Sequence, residues 1–286
     1  MIVSTERPSL ASAPDLLVLD FDGVVCDGME EFFESAWRAW QRLDGDRLPV
    51  ARRGELGARF AKLRPVVEAG WEMALLPALL ATTDSSRDAE LADAARWPAI
   101  RDAWVRDQSI APQRLADALD AARDAWRCED HDGWLRRHRF YPGITDWLTD
   151  LVARGPLLYI LSTKDKRFLD DLFVWQNVPL PTDRIVGKAT PRRAKWEVIE
   201  ELVARHTLPR GGAGVWFVED RLATLIDVQS AAPHLGAARL FLAEWGYVFP
   251  DDGDRARAHA ITPLTLVQAV GPFEGWLDHA KWQATS

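Results

Sequence analysis

Two aspartates two positions apart, Asp20 and Asp22, follow directly on the apolar run LLVL at residues 16–19 and are themselves followed by Gly23. A short continuous apolar run closed by glycine and polar residues reads as a strand buried on both faces, of the kind found at the centre of a parallel sheet. The acids then stand at the carboxyl end of that strand, where open α/β sheets bind their ligands. Side chains two apart share a face of an extended backbone, and a turn beginning near Phe21 lets the pair splay around one small site. Carboxylates this close repel each other and share a proton unless a cation lies between them. Mg2+ meets that need, being a hard ion that takes carboxylate and carbonyl oxygens. The competing explanation is a strand-end turn in which aspartate serves only local hydrogen bonds.

A second acidic pair, Glu219-Asp220, ends the apolar run VWFV at 215–218. Two acids at a strand terminus are costly unless solvated or bound to metal. A third run, LLYIL at 157–161, ends in Ser162-Thr163-Lys164, whose hydroxyls could equally cap the helix that follows. Further strands are expected at 184–186 and, as the last of the set, at 240–243. Helical patterns separate them: Ile144, Trp147, Leu148 and Leu151, then Phe168, Leu169, Leu172 and Phe173, then 195–205. Strands alternating with helices predict a doubly wound, Rossmann-like parallel sheet covered on both faces.

Residues 28–137 carry helical spacing and no convincing strand. Phe32, Phe33, Ala36, Trp37 and Trp40 form one stripe, and Leu115, Leu119, Ala122 and Trp126 follow Pro112 at a first-turn position. A stripe of Phe60, Leu63, Val67, Trp71 and Leu75 is interrupted by Pro65, which marks a kink or a join between two helices. Residues 82–90 read as a loop. The expected organisation is an α/β core from 1–27 and 138–286, with an all-helical insertion at 28–137 forming a cap over the site. The segment PDDGDRAR at 250–257 lacks the alternating ligands and distal glutamate of a calcium loop and reads as an exposed turn.

Composition narrows the class. The 286 residues are 48% hydrophobic, enough for a substantial core. A net charge of -8, with Lys and Arg scattered, argues against a nucleic-acid partner. Two cysteines, Cys26 and Cys128, make neither a disulfide scaffold nor a zinc site. No segment reads as a secretory signal or membrane span, so a cytoplasmic protein with no membrane partner is expected. Trp37, Trp40, Trp71 and Trp126 fall on apolar stripes and are assigned to packing instead of an aromatic ligand pocket. His131 and His138 read as surface or cap residues with no tie to the acids.

In this arrangement the chain resembles the haloacid dehalogenase superfamily of mostly Mg2+-dependent phosphatases and phosphomutases, in the form whose helical C1-type cap follows the first strand. LVLDFDGVVCD resembles the first family motif, YILSTKD the second and VWFVED the fourth. The resemblance implies Asp20 as nucleophile, Asp22 as general acid and base, and Ser162, with Thr163 beside it, at the phosphate. It implies a metal held by Asp20, the Asp22 backbone carbonyl and Asp220, with Glu219 as neighbour and further metal-site residue and Gly23 at the substrate. For the family's lysine two candidates compete. Lys188 lies in IVGKATP, whereas Lys195 opens a helix 25 residues before Asp220, closer to the usual interval, and is favoured. Arg221-Leu222 replace the small residues usual after the fourth motif. YPGI at 141–144 and WGY at 245–247 look like family features with structural jobs.

The activity so implied is Mg2+-dependent hydrolysis of a small phosphorylated metabolite through an aspartyl-phosphate. The alternatives are a phosphomutase with the same acids and a non-catalytic regulatory protein keeping the fold; a dehalogenase fits poorly, since a second acid suits a phosphoryl leaving group better than a halide. The cap would supply the leaving-group pocket. Glu30 and Glu31 open its first helix, and Arg52, Arg53, Arg64 and Glu68 are candidates for clamping a second charged group of the substrate; each is otherwise a surface charge, and Lys164 and Lys166 after the second strand carry the same two readings. An exposed aromatic patch on the cap could support a homodimer.

Overall fold

The structure, a computed structural model, describes residues 13–44, 48–188 and 193–277. The chain divides into two compact units, Met1–Asp27 with Phe140–Ser286, and Gly28–Arg139. The strands are β1 (Leu16–Leu19), β2 (Cys26–Asp27), β3 (Arg139–Phe140), β4 (Leu157–Leu161), β5 (Ile185–Val186), β6 (Val215–Glu219), β7 (Arg239–Ala243) and β8 (Thr262–Leu264). Short β2 and β3 pair with each other, and the other six form one sheet in the order β5-β4-β1-β6-β7-β8. Every pairing in that sheet is parallel, and central β1 lies between β4 and β6.

Parallel strands need crossovers, and the crossover helices cover both faces, so the central strands β1 and β6 are buried along their whole length. On one face Leu16, Val18, Leu161, Phe217 and Leu242 pack against Ile199, Leu202, Leu225 and Val228 from the helices Lys195–His206 and Leu222–Ala231. On the other, Trp216 and Phe241 pack against Trp276, with ring centroids 5.4 and 5.0 Å away. Two expectations need correction here. Leu240–Ala243 does not end the sheet, because Thr262–Leu264 adds an edge strand paired with β7. Residues 250–257 are not an exposed turn: Asp252–Ala258 is a helix with Asp252 and Ala256 buried, and the Asp252 carboxylate accepts the Phe249 N–H at 2.9 Å.

Among its described residues the Gly28–Arg139 unit holds helices and 3-10 turns and, before Arg139 of β3, no strand. Its long helix Met29–Asp44 packs against Gly70–Thr82 and Pro112–Glu129. The break at Pro65 is a short 3-10 turn, Arg64–Val66, between two helices. The 82–90 segment is more ordered than a loop, holding a 3-10 turn at Ser85–Arg87 and a helical turn at Asp88–Leu91. Trp37, Trp40 and Trp126 are buried, as their stripes predict. The unit also buries charge. Glu31 is completely enclosed, accepting Arg123 Nε at 2.7 Å and Ser35 Oγ at 2.6 Å. His138, read as a surface or cap residue, belongs to this unit and is not at its surface: its ring is buried edge-on to Trp134, with Nε2 3.8 Å from Glu31 Oε2.

Candidate active site

β1 stops at Leu19 because the next residues curl into a turn, in which the N–H groups of Val25 and Cys26 both reach the Phe21 carbonyl at 2.9 Å. Asp20 stays tied to the sheet through its N–H to the Val218 carbonyl, at 2.9 Å. β6 is in register beside β1 and delivers Glu219 and Asp220 at the same sheet edge. Carboxylate oxygens of Asp20, Glu219 and Asp220 lie within 4.8 Å of one another, and all three residues are buried. Burial, then the charge of Glu219, push the Asp20 carboxyl up to about 7, against the pull of Lys195.

Lys195, first residue of its helix, donates from Nζ to Asp20 Oδ1 at 2.5 Å and to Glu219 Oε2 at 2.6 Å. Burial disfavours its charge, but the two carboxylates prevail and hold the ammonium above the ordinary lysine value. Burial likewise opposes the charge of Glu219, and Lys195 reverses this to leave that carboxyl below its ordinary value. The other Glu219 oxygen, Oε1, accepts the Arg221 N–H at 3.1 Å. Lys188 has an exposed side chain, and its backbone N–H donates to the Lys164 carbonyl at 2.8 Å. Part of its IVGKATP loop, 189–191, lies outside the described residues.

Asp220 is gripped by two glycines and a peptide. Gly23 has φ +90, and a Cβ on it would fall 1.9 Å from Asp220 Oδ2; one on Gly246 would fall 2.4 Å from both Asp220 Cβ and the Gly23 carbonyl oxygen. Only glycine permits such an approach. The Tyr247 N–H donates to Asp220 Oδ2 at 2.9 Å, while its hydroxyl donates to Asp27 Oδ1 at 2.8 Å. Trp245 Nε1 donates to the Val24 carbonyl at 3.0 Å. The WGY segment thus does more than fill space: it orients an acid of the cluster.

The second motif lies on the neighbouring strand. Ser162 follows β4, is buried, and donates its N–H to the Val186 carbonyl at 2.9 Å; Thr163 is exposed. Of the two readings of Lys164, the surface charge is excluded. Its side chain is 2% exposed, and Nζ donates to Asp22 Oδ1 at 2.9 Å. Its strand-end position, directly after Ser162-Thr163, was the available signal. Lys166 instead pairs with Asp170 at 2.8 Å.

Of the remaining candidates, all within the helical unit, Arg64 is buried with its guanidinium 5.4 Å from the Phe32 ring centroid. Glu68 is an exposed carboxylate 3.4 Å from Arg101. Arg52 pairs with Glu55, Arg53 with Glu34, and Glu30 with Arg137 and Arg139. Glu31, enclosed by Arg123 and Ser35, is a structural acid.

Asp20, Asp22, Glu219 and Asp220 face Lys164 and Lys195, four carboxylates against two ammoniums. Counted with every carboxylate ionised, the six groups leave a net charge of two negative in a site whose burial, with Glu219, already holds the Asp20 carboxyl high. An all-oxygen donor set with that deficit fits one hard divalent cation.

No family model matches the chain, and no curated protein does. Solved structures do. A predicted phosphatase from Clostridium acetobutylicum is 14% identical at a TM-score of 0.56, with 88% of this chain and 94% of that one covered. A haloacid dehalogenase-like family hydrolase from Streptococcus pneumoniae is 15% identical at 0.53, covering 89% and 94%. A predicted phosphoglycolate phosphatase from Haemophilus somnus is 12% identical at 0.52, covering 88% and 100%. At such identities the likeness concerns architecture. The chain has the fold of the haloacid dehalogenase-like hydrolases, a parallel Rossmann-like core with an all-helical unit inserted after its first strand.

Proposed function

We propose that the protein is a Mg2+-dependent phosphoric monoester hydrolase acting on a small phosphorylated metabolite through an aspartyl-phosphate on Asp20. The observation that carries this reading is the meeting of Asp20 with Lys195 at 2.5 Å inside a buried acidic cluster at the carboxyl edge of the sheet. A carboxylate held there is a nucleophile with a cation already beside it. The first unit acts as catalytic domain and the helical unit as cap.

Asp20, Asp220 and the Asp22 backbone carbonyl would hold the metal. Both Glu219 oxygens already accept hydrogen bonds, so Glu219 is assigned to positioning Lys195. A bound divalent cation supplies the positive charge that lets a phosphate dianion approach a carboxylate. Asp20 attacks phosphorus as the ester oxygen leaves. Lys195 and Ser162 stabilise charge on the transferring phosphoryl group. Asp22 gives the leaving oxygen a proton where it needs one, then takes a proton from the water that hydrolyses the intermediate. Gly23 and Thr163 complete the phosphate surroundings.

The test is a broad panel of phosphate monoesters assayed with Mg2+ and with chelator. Release of inorganic phosphate from at least one ester, lost on chelation, is expected; no turnover of any ester would refute the proposal.

A further inference from the structure

Lys164 has no role in the reaction outlined above, yet its placement is specified from every side. Its N–H donates to Ser162 Oγ at 3.1 Å and its carbonyl accepts the Lys188 N–H at 2.8 Å. The next residue, Asp165, caps the helix Lys166–Trp175 by accepting the Arg167 N–H. Gly187 packs so closely on this turn that a Cβ there would fall 2.5 Å from the Lys166 nitrogen. With its backbone fixed, the side chain runs inward past Phe21, Nζ 5.6 Å from the ring centroid, to Asp22 Oδ1. Phe21 is held in turn by Phe140 and Phe173, with centroids 5.7 and 5.8 Å away. Burying an ammonium is expensive, and doing so on a rigid turn aims it at one target.

We propose that Lys164 is a positioning residue for the second half of the reaction, holding the Asp22 carboxylate where it must take a proton from water. This rests on the hydrolase reading above. With Oδ1 occupied by the ammonium, Oδ2 is the oxygen left for proton transfer. In the step concerned, a water oxygen bonds to phosphorus while the phosphorus bond to the Asp20 carboxylate oxygen breaks. That bonding pair returns to Asp20, the water proton passes to Asp22 Oδ2, and inorganic phosphate leaves. Formation of the intermediate from a substrate whose leaving group needs no proton does not involve Asp22, so Lys164 matters there far less.

The two half-reactions separate kinetically with p-nitrophenyl phosphate and Mg2+. Its nitrophenolate departs unprotonated, so kcat/KM reports attack by Asp20 and kcat includes hydrolysis of the intermediate. Lys164→Met should lower kcat at least about tenfold while kcat/KM stays within about threefold, the loss expected when a general base is misplaced. KM should fall in parallel, and acid-quenched protein should accumulate a phosphoryl group on the peptide containing Asp20. Lys164→Arg should recover part of kcat. Asp22→Asn provides the comparison, with the same pattern more strongly. A thermal melt accompanies each variant, and Lys164→Gln replaces Lys164→Met if the latter does not fold. Equal loss of kcat and kcat/KM, or wild-type kinetics, in a folded Lys164 variant would overturn the inference while accumulation in Asp22→Asn leaves the hydrolase reading standing. If the wild type neither hydrolyses aryl phosphates nor becomes phosphorylated, both fall together.

Discussion

Replacing Asp20 by asparagine should abolish phosphatase turnover and, in the absence of divalent cations, make the protein more stable. Burial first, and Glu219 second, push the Asp20 carboxyl from 3.8 up to about 7. Between those values the folded state keeps a proton that the unfolded chain has lost, so wild-type stability falls as pH rises through the window and levels off above it. The accumulated cost is on the order of 4 kcal/mol at pH 8 and under about 1 kcal/mol at pH 4. Asparagine is nearly isosteric, carries no charge, and can still accept from Lys195. Weakening of the Lys195 contact offsets part of the gain, leaving about 2–4 kcal/mol at pH 8. For a chain of this size that is a rise in Tm of roughly 5–15 °C.

The assay is thermal unfolding of both proteins in chelator across pH 4–8. The Asp20→Asn advantage should grow with pH, and Mg2+ should then raise the wild-type Tm more than that of the variant, since it relieves a repulsion the variant lacks. An Asp20→Asn protein that is less stable than wild type at pH 8, or a difference independent of pH, would refute the electrostatic argument.

The two lysines named from sequence should part company. Lys195→Met leaves Asp20 and Glu219 buried without their ammonium, which should cost on the order of 3–5 kcal/mol in urea unfolding and about a hundredfold or more in kcat; Lys188→Met should change neither appreciably, and equal mild effects would contradict the assignment. Gly246→Ala should push Asp220 off its Tyr247 contact and weaken Mn2+ binding, measured by electron paramagnetic resonance, by about tenfold or more; unchanged affinity would show that the close glycine approach does not set the acid's position.

The parts of the fold that were legible are those where burial on both faces writes itself as an unbroken apolar run. LLVL, LLYIL and VWFV each announce a central strand, and the acids or hydroxyls at their ends mark the edge where chemistry collects. β8 was missed because Thr262-Pro263-Leu264 is three residues long and carries a proline, which only an edge strand tolerates. The helix Asp252–Ala258 escaped because its buried side is one alanine and one hydrogen-bonded aspartate, with no apolar stripe. Polar groups turned inward leave no periodic trace at all. Glu31, Arg123 and His138 look like solvated charges along the helices until their partners meet across the fold, and Lys164 sits in a run of alternating charge that resembles a surface turn. The acidic cluster could be named from strand ends, but which of its members faces which ammonium depends on register between strands far apart in sequence.

The central claim is that Asp20 itself carries the phosphoryl group during turnover. Acid quenching of the protein while it turns over its best ester with Mg2+, followed by peptide mass spectrometry, tests it most directly. The account predicts one added phosphoryl group on the peptide containing Asp20, removed by hydroxylamine and absent from Asp20→Asn. Turnover with the phosphoryl group on another residue, or undiminished turnover by Asp20→Asn, would contradict it.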